Sequence, residues 1–413
     1  MASSRPSSLL PAPEKGPLLE LIPPPGPRQP EGVLPKNGGI PRWEGELWTA
    51  QQRQANPLHE ISYRACFKPQ LPAYFIRHLT EEGDRIYDPF MGRGTTPLEA
   101  ALAGRVPVGN DANPLSILLT RPRLNPPTQK EVVARLQQLR LDGPARGPAS
   151  LRVFYHPETL RELANLREYF RKRETEGTLD PLDDWIRMVA VNRLTGHSKG
   201  FFSVYTLPPN QAASVASQKR INRRLGQTPP RRDVRALLQR KSAALLRGLT
   251  RADRDRLGSV ASRSLLLTGD AAHTPAIRSR SVSLIVTSPP FLDVVNYAQD
   301  NWLRNWFCRI DTDSVDFACF RSLSSWEQYM GQVFRELARI LTPEGHIAFE
   351  VGEVRKGKIP LEESVVGCGL GAGLKVEGIL VNAQRFTKTS NCWGITNGQR
   401  GTNTNRIVLF SRR

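Results

Sequence analysis

The stretch RIYDPFMGRGTTPLEAALAGRVPVGND, residues 85–111, decides the fold. Its apolar residues predict a short strand over 85–88, a helix over 96–103 and a second strand over 106–111. A glycine-containing turn separates the first strand from the helix. A strand, a helix and a second strand in this order form a βαβ unit, which places two parallel strands side by side.

Further strands and helices are predicted on both sides of this unit. Short apolar runs bounded by glycine or proline are typical of buried parallel strands, and apolar residues three and four apart predict helices. The predicted elements are a helix over 71–79, strands over 264–269 and 282–287, a helix over 326–341, a strand over 346–351 and a final strand pair at 376–381 and 406–410. Together they predict an α/β fold with a doubly wound sheet.

The composition excludes several classes of protein. The 413 residues are 39% hydrophobic, which is enough for a packed core, and no apolar run reaches the ~18 residues that a membrane span needs. The beginning of the sequence has too much proline for a signal peptide. The five cysteines form no CxxC pair. We therefore expect a cytoplasmic protein without disulfides or structural zinc.

The net charge of +19 is concentrated in one segment. Residues 121–260 hold 28 Lys and Arg against 13 Asp and Glu, a net charge of 28 − 13 = +15. Concentrated positive charge favours contact with nucleic-acid phosphates. The predicted organisation is a Pro-rich arm over 1–41, a catalytic domain formed by 42–120 and 263–413, and a helical basic insert over 121–262 that recognises DNA.

The first chemistry-bearing motif is DPFMGRGTT, residues 88–96. Gly92 and Gly94 allow the backbone to approach a ligand closely at the N-terminus of a helix. The third glycine of a GxGxxG dinucleotide motif is missing. Asp111 ends the second strand, where acids of nucleotide-binding sheets accept hydrogen bonds from ribose hydroxyls. Asp270 follows the next strand and is predicted to contact an adenine amino group.

The second motif is TSPPF, residues 287–291, at the end of another strand. Two consecutive prolines fix the backbone and remove two N–H donors. An exocyclic amino group has two hydrogens to donate, and the Ser288 hydroxyl with the Pro289 carbonyl provides two acceptors. Phe291 offers a ring on which a base drawn out of its helix would stack.

Together, DPFMGRGTT, the following GNDANP (109–114) and TSPPF resemble the amino-group DNA methyltransferases that use S-adenosylmethionine. The resemblance covers about half of the chain and implies a seven-stranded, Rossmann-like methyltransferase sheet. It implies catalytic roles for Ser288, Pro289, Pro290 and Phe291. It implies cofactor binding by Phe67, Lys68, Pro69, Asp88, Pro89, Phe90, Gly92, Gly94, Thr95, Asp111, Asn113, Asp270, Ala271 and Thr287.

The motif also bears on the methylated base. A Ser-Pro-Pro-Phe core resembles the N4-cytosine enzymes, whereas Asp-Pro-Pro-Tyr or Asn-Pro-Pro-Tyr resembles the N6-adenine enzymes, so we predict cytosine and keep adenine as the alternative. Methylation at carbon 5 needs a nucleophilic cysteine after a proline, and no cysteine here follows one. In many Ser-Pro-Pro enzymes the catalytic motif precedes the cofactor motif, and here the order is reversed.

Three other functions remain open at this point. Pro-Pro-aromatic sites also methylate RNA amino groups and protein amides, and the basic insert argues against the amide but not against RNA. A DNA-binding module without activity is the third, and the intact glycines and Ser288 argue against it. No metal is expected, because the histidines show no ligand spacing. DNA is the predicted partner.

Overall fold

The computed structural model describes residues 39–45, 55–64, 66–209, 211–290, 297–311, 315, 320, 322–352, 361–383 and 404–412. Most of the predicted Pro-rich arm, residues 1–38, lies outside them. Within the described residues, eight strands form one sheet. They are Arg42–Gly45 (β1), Arg85–Asp88 (β2), Val106–Asp111 (β3), Leu265–Thr268 (β4), Val282–Thr287 (β5), Leu341–Val351 (β6), Leu374–Ala383 (β7) and Thr404–Arg412 (β8).

The strands are ordered β1-β7-β8-β6-β5-β2-β3-β4. β8 is antiparallel to both of its neighbours, β6 and β7, and the other neighbouring strands are parallel. The carboxyl ends of β2, β3, β4 and β5 therefore lie at one edge of the sheet. The predicted α/β fold is confirmed, with one strand more than the expected seven, because β1 adds to the sheet beside β7.

Thirteen α-helices lie within the described ranges. They are Gln70–Leu79 (α1), Thr95–Leu102 (α2), Leu115–Leu124 (α3), Gln129–Gln138 (α4), Pro157–Thr175 (α5), Pro181–Val191 (α6), Val215–Leu225 (α7), Val234–Leu246 (α8), Arg251–Ala261 (α9), Tyr297–Asp300 (α10), Trp302–Cys308 (α11), Leu323–Ile340 (α12) and Leu361–Gly371 (α13). None of these described helices is long and apolar enough to cross a lipid bilayer.

The two faces of the sheet bury different helices because successive side chains of a strand point to opposite faces. Ile86 and Leu284 belong to the buried cluster that contains residues of α1 and α2. Their neighbours Tyr87 and Ile285 belong to the cluster that contains residues of α12 and α13. The central strands are thus covered on both faces, which explains their continuous apolar sequence.

Most predicted elements are confirmed within one or two residues, and two are corrected. The strand predicted over 264–269 is β4. The sequence predicts a buried strand, but β4 is half-buried because it lies at the edge of the described sheet, next to β3. The strand predicted from residue 346 begins at Leu341, directly after α12 ends. Leu341 pairs with Val282 ahead of a shift in the register between β5 and β6.

The segment 121–262 folds into the helices α4 to α9, with α3 ending at its start. Its apolar side chains share one buried cluster with residues of α2 and α3, so the helices pack against the sheet domain rather than standing apart from it. Trp185 of α6 is fully buried in this cluster. The division into an insert and a catalytic domain stays a proposal.

Candidate functional site

A cavity of about 600 Å³ opens where β2, β3, β4 and β5 end. In open α/β sheets, ligands bind outside the carboxyl ends of the strands. Thirteen of the predicted site residues line the cavity. They are Phe67, Asp88, Pro89, Phe90, Gly92, Thr95, Asp111, Asn113, Asp270, Ala271, Ser288, Pro289 and Pro290. The structure thus places residues of both sequence motifs around one space.

Four predicted site residues are not in the cavity wall, and one lies outside the described residues. Lys68 and Pro69 lead into α1, and Pro69 immediately precedes its first residue. Gly94 begins α2 and packs against Thr120 instead of facing the cavity. Thr287 is fully buried beneath the site. The prediction for Phe291 falls outside the described residues.

Asp111 holds the glycine turn in place. Its Oδ2 accepts a hydrogen bond from the backbone N–H of Gly92 at 2.8 Å, and its Oδ1 accepts one from the N–H of Asn113 at 2.8 Å. Gly92 has φ of +50°, a left-handed conformation that favours glycine. Burial raises the pKa of the Asp111 carboxyl, and these backbone donors oppose the shift. Each carboxylate oxygen accepts two hydrogen bonds, so both retain capacity for a ligand.

Asp88 connects the two motifs across the sheet. Its Oδ1 accepts a hydrogen bond from the Thr287 hydroxyl at 2.6 Å and one from the backbone N–H of Phe90 at 3.1 Å. Burial raises the pKa of Asp88 to about 7, although these hydrogen bonds lower it. Thr287 directly precedes Ser288, so this contact fixes the start of the Ser-Pro-Pro segment relative to the glycine turn. Thr287, predicted to bind a cofactor, is placed here as a support for Asp88.

The Ser-Pro-Pro segment is also held from the other side by α12. The indole N–H of Trp326, a fully buried residue, donates a hydrogen bond to the Pro290 carbonyl at 3.2 Å. Pro290 lies beyond the last residue of β5, and Trp326 provides a hydrogen-bond donor for its carbonyl there. This contact aligns the backbone next to Ser288. The apolar spacing of α12 predicts that Trp326 is buried, but it gives no sign of the hydrogen bond.

Another part of the cavity wall contains an acid and two rings. Asp270 accepts hydrogen bonds from the Tyr329 hydroxyl at 2.7 Å and from the backbone N–H of Ala272 at 2.9 Å. The Tyr329 ring lies 5.2 Å from the ring of Phe320, and both rings line the cavity. Planar rings beside a hydrogen-bond acceptor suit an aromatic base. Sequence reasoning identified Asp270 but missed the two rings, because they are distant from it along the chain.

A third group of lining residues comes from the segment before Phe67, and it was also missed. Tyr63, Arg64 and Cys66 line the cavity, and the Asn113 amide donates to the Tyr63 hydroxyl at 3.3 Å. This segment has no strand or long helix, so no periodic pattern marks it. Arg93 of the glycine turn holds it through a hydrogen bond to the Ile61 carbonyl at 2.8 Å.

The cavity wall contains hydrogen-bond acceptors and aromatic rings. Among the residues that the structure describes, no group of three or more His, Cys, Asp or Glu side chains is arranged to hold a metal ion. Asp88, Asp111 and Asp270 instead lie in the wall of one cavity that also contains Phe67, Phe90 and other rings. Such a site suits an organic ligand with hydroxyl or amino groups and a flat ring.

Comparisons with known proteins agree with this picture for part of the chain. Residues 36–118 match a family model described as "N6_N4_Mtase: DNA methylase". The Type II methyltransferase M.MjaII of Methanocaldococcus jannaschii is 29% identical over 125 residues, which are 30% of this chain and 23% of that protein. The predicted resemblance to amino-group DNA methyltransferases is therefore confirmed. The alignment spans less than a quarter of that curated relative.

Solved structures overlap with the chain only loosely. A putative DNA modification methylase from Thermus thermophilus, complexed with S-adenosyl-L-methionine, is 21% identical over 35% of this chain and 53% of its own, with a TM-score of 0.22. The rRNA methyltransferase aviRa from Streptomyces viridochromogenes is 15% identical, with 86% and 88% of the two chains covered and a TM-score of 0.34.

Proposed function

We propose that this protein is a DNA methyltransferase that moves a methyl group from S-adenosylmethionine to an exocyclic amino group of a base. One observation carries the proposal: Asp88 and Asp111 line the same cavity as Ser288, Pro289 and Pro290. The first two residues belong to the motif that resembles a cofactor site, and the others to the motif that resembles an amino-group site. The matched DNA methylase family supports the same activity.

The cavity fits S-adenosylmethionine in size and chemistry. Asp111 retains acceptor capacity for the two ribose hydroxyls, and Asp270 beside the Tyr329 ring offers an acceptor for an adenine amino group. Phe90 and Ala271 provide apolar walls. When it is bound, this cofactor supplies a methyl group activated by a sulfonium. The protein therefore needs to position the two reactants more than to supply reactive groups.

The Ser-Pro-Pro segment would orient the base. The Ser288 hydroxyl and the Pro289 carbonyl accept the two amino hydrogens of a base rotated out of its duplex. Each acceptor polarises an N–H bond toward the nitrogen, which raises the electron density on the nitrogen for attack, and the nitrogen releases one of these protons once it carries the methyl group. Phe291 would stack on the base. We assign the contacts by resemblance to the family, and the bracing of the segment by Trp326 and Thr287 supports them.

We further propose that the base is cytosine, methylated at N4, because the motif is Ser-Pro-Pro-Phe. N6-adenine is the alternative within the same chemistry. The basic segment 121–262 would recognise the target sequence, in keeping with a cytoplasmic enzyme of a restriction–modification system.

Product analysis tests the function and the base together. After incubation with duplex DNA and methyl-labelled S-adenosylmethionine, digestion to nucleosides should place the label in N4-methyldeoxycytidine. Ser288→Ala should transfer methyl groups about tenfold more slowly, because a hydrogen bond of ~1.4 kcal/mol in the transition state is lost. Ser283→Ala, in the strand that leads to Ser288, loses a hydrogen bond to Asp84 and is the matched control. Label in N6-methyldeoxyadenosine would overturn the cytosine assignment. In parallel incubations with RNA and with protein, label there but not in DNA would overturn the DNA assignment.

A second variant tests the bracing of the Ser-Pro-Pro segment. Trp326→Phe keeps a buried ring but removes the donor to the Pro290 carbonyl, and we expect a fall in kcat of about fivefold from one hydrogen bond of ~1 kcal/mol, with the KM for the cofactor unchanged. Trp185→Phe is matched to it, since this buried indole also makes one hydrogen bond, to the Ser242 hydroxyl at 3.0 Å. Equal kcat values for the two variants would show that Trp326 only stabilises the fold.

A further inference from the structure

The positive charge of segment 121–262 is unevenly available to a partner. Many of its cationic side chains form ion pairs or hydrogen bonds within the protein. Arg135 and Arg173 both form ion pairs with Asp180 and with the fully buried Asp183. Arg187 pairs with two further acids. Arginines such as Arg235 and Arg254 donate to backbone carbonyls. The count of charges in the sequence therefore overstates the field that this segment presents to solvent.

Helix α7 differs from the other helices of this segment because its sequence VASQKRINRRL places four cations within six residues and contains no acid. Its four cations, Lys219, Arg220, Arg223 and Arg224, are exposed. Within the described part of the chain, no carboxylate lies within 4.0 Å of any of them, whereas exposed cations of α5 and α9 pair with acids three or four residues away along the chain. Four cations within six residues and without neutralising partners make a strong local positive field.

An exposed aromatic ring adjoins this helix. Gly196 and Tyr205 pair at the base of a loop, and the Gln218 amide of α7 donates to the Tyr205 carbonyl at 3.0 Å. The Tyr205 side chain is 50% exposed, and Leu225 at the end of α7 is 48% exposed. Leu225 belongs to the same helix as the four cations, and the hydrogen bond from Gln218 holds the loop that carries Tyr205 against that helix. We call Tyr205, Lys219, Arg220, Arg223 and Arg224 the α7 surface.

The residues just before α7 are connected to a residue of the cavity wall. Just before α7, the backbone N–H of Ala212 donates to the Asp300 carbonyl at 2.9 Å, and the Ala213 carbonyl accepts from the Trp302 indole at 3.2 Å. The Asp300 carboxylate in turn pairs at 2.6 Å with Arg64, which lines the cavity. These hydrogen bonds and the ion pair therefore connect the start of α7 to the site.

We propose that the α7 surface grips the sugar–phosphate backbone of DNA beside the base that enters the cavity. The cations contact phosphates, and the Tyr205 ring packs on a sugar or an unstacked base. This inference rests on the proposed function for its choice of DNA as the partner. It narrows the contact from the whole basic segment to one helix and one loop.

Equilibrium binding of the full chain to labelled duplex DNA, measured by fluorescence anisotropy over a range of salt concentrations, tests the proposal. The test variant replaces Lys219, Arg220, Arg223 and Arg224 with Gln. The matched control makes the same change at four exposed cations of α4, α8 and the residues that follow them, Lys130, Arg140, Arg240 and Arg247. Both variants lose the same net charge at exposed positions, so thermal unfolding should remain close to that of the wild type.

Each phosphate contact contributes about 0.9 to the slope of log K against log salt concentration. We therefore expect the α7 variant to lose about 2 to 4 units of slope and roughly a hundredfold in affinity, and the control to lose less than about one unit. Tyr205→Ala should weaken binding by about tenfold with the slope unchanged. Equal slopes for the two charge variants would overturn the proposal.

The same measurement with an RNA duplex separates the partners. If the α7 substitutions weaken RNA binding and leave DNA binding intact, the DNA assignment of this surface is wrong. The proposed function fails in a different way. A wild-type protein that binds DNA through α7 but labels no base would leave this inference standing and overturn methyl transfer. If the protein methylates DNA but the α7 variant binds DNA with an unaltered salt dependence, methyl transfer would stand and this inference would be overturned.

Discussion

Replacing Gly94 with Ala should cost about 3 kcal/mol of the free energy of unfolding and abolish most turnover. Gly94 has φ of +72°, a left-handed conformation in which an L side chain is strained. A Cβ there would lie 2.2 Å from the hydroxyl oxygen of Thr120 and 2.8 Å from its Cβ. Rotation of the threonine cannot relieve the second contact, so α2 or α3 must move. Urea denaturation measures the loss.

Gly83→Ala is the matched control. Gly83 also has positive φ, at +88°, but a Cβ there meets nothing within 4 Å. This variant should lose only about 1 kcal/mol of the free energy of unfolding, because alanine is strained at positive φ. If the two variants were equally stable, the contact with Thr120 would not be what requires glycine at position 94.

Replacing Asp88 with Asn should remove a pH dependence of stability. Burial raises the pKa of Asp88 to about 7, well above its value in an unfolded chain. Folding therefore favours the protonated form of the Asp88 carboxyl. The resulting stabilisation is complete below pH ~4, decreases as the pH rises, and is lost once the pH has passed ~7. The variant should therefore gain about 4 kcal/mol relative to the wild type between pH 4 and pH 8. Asn retains an oxygen to accept from Thr287.

Denaturant midpoints for the two proteins across this pH range test the expectation. Asp270→Asn is the control, because Asp270 is an exposed acid of the same cavity. Its stability should follow the wild-type pH dependence. Parallel curves for Asp88→Asn and wild type would show that Asp88 is ionised in the folded protein near neutral pH.

The strand ends were predictable from the sequence because their signals are local. Asp111 is the last residue of one apolar strand and Ser288 directly follows another, and parallel strands bring such ends to one edge. The exact count of strands was not predictable, since β1 is four residues long and gains its place only by pairing with β7, more than 300 positions later.

The supports of the site depend on contacts between distant parts of the chain. Trp326 reaches Pro290 from another helix, and Tyr63 reaches Asn113 from a segment without periodicity. The structure requires a glycine at position 94 because of packing against Thr120. The sequence predicts the glycine for another reason, close approach of the backbone to a ligand. The same holds for charge, because a count of arginines cannot show that Arg135 and Arg173 both form ion pairs with Asp183.

The position of β8 has a consequence for how the chain folds. β8 follows β7 along the chain but lies between β6 and β7 in the sheet. During synthesis, β7 has no partner toward the centre of the sheet until residues 404–412 emerge, and β1, which pairs with β7, must wait as well. Long-range pairing of this kind slows folding. Strands β1, β7 and β8 should therefore pair late and in one cooperative step, after the strands next to the glycine turn.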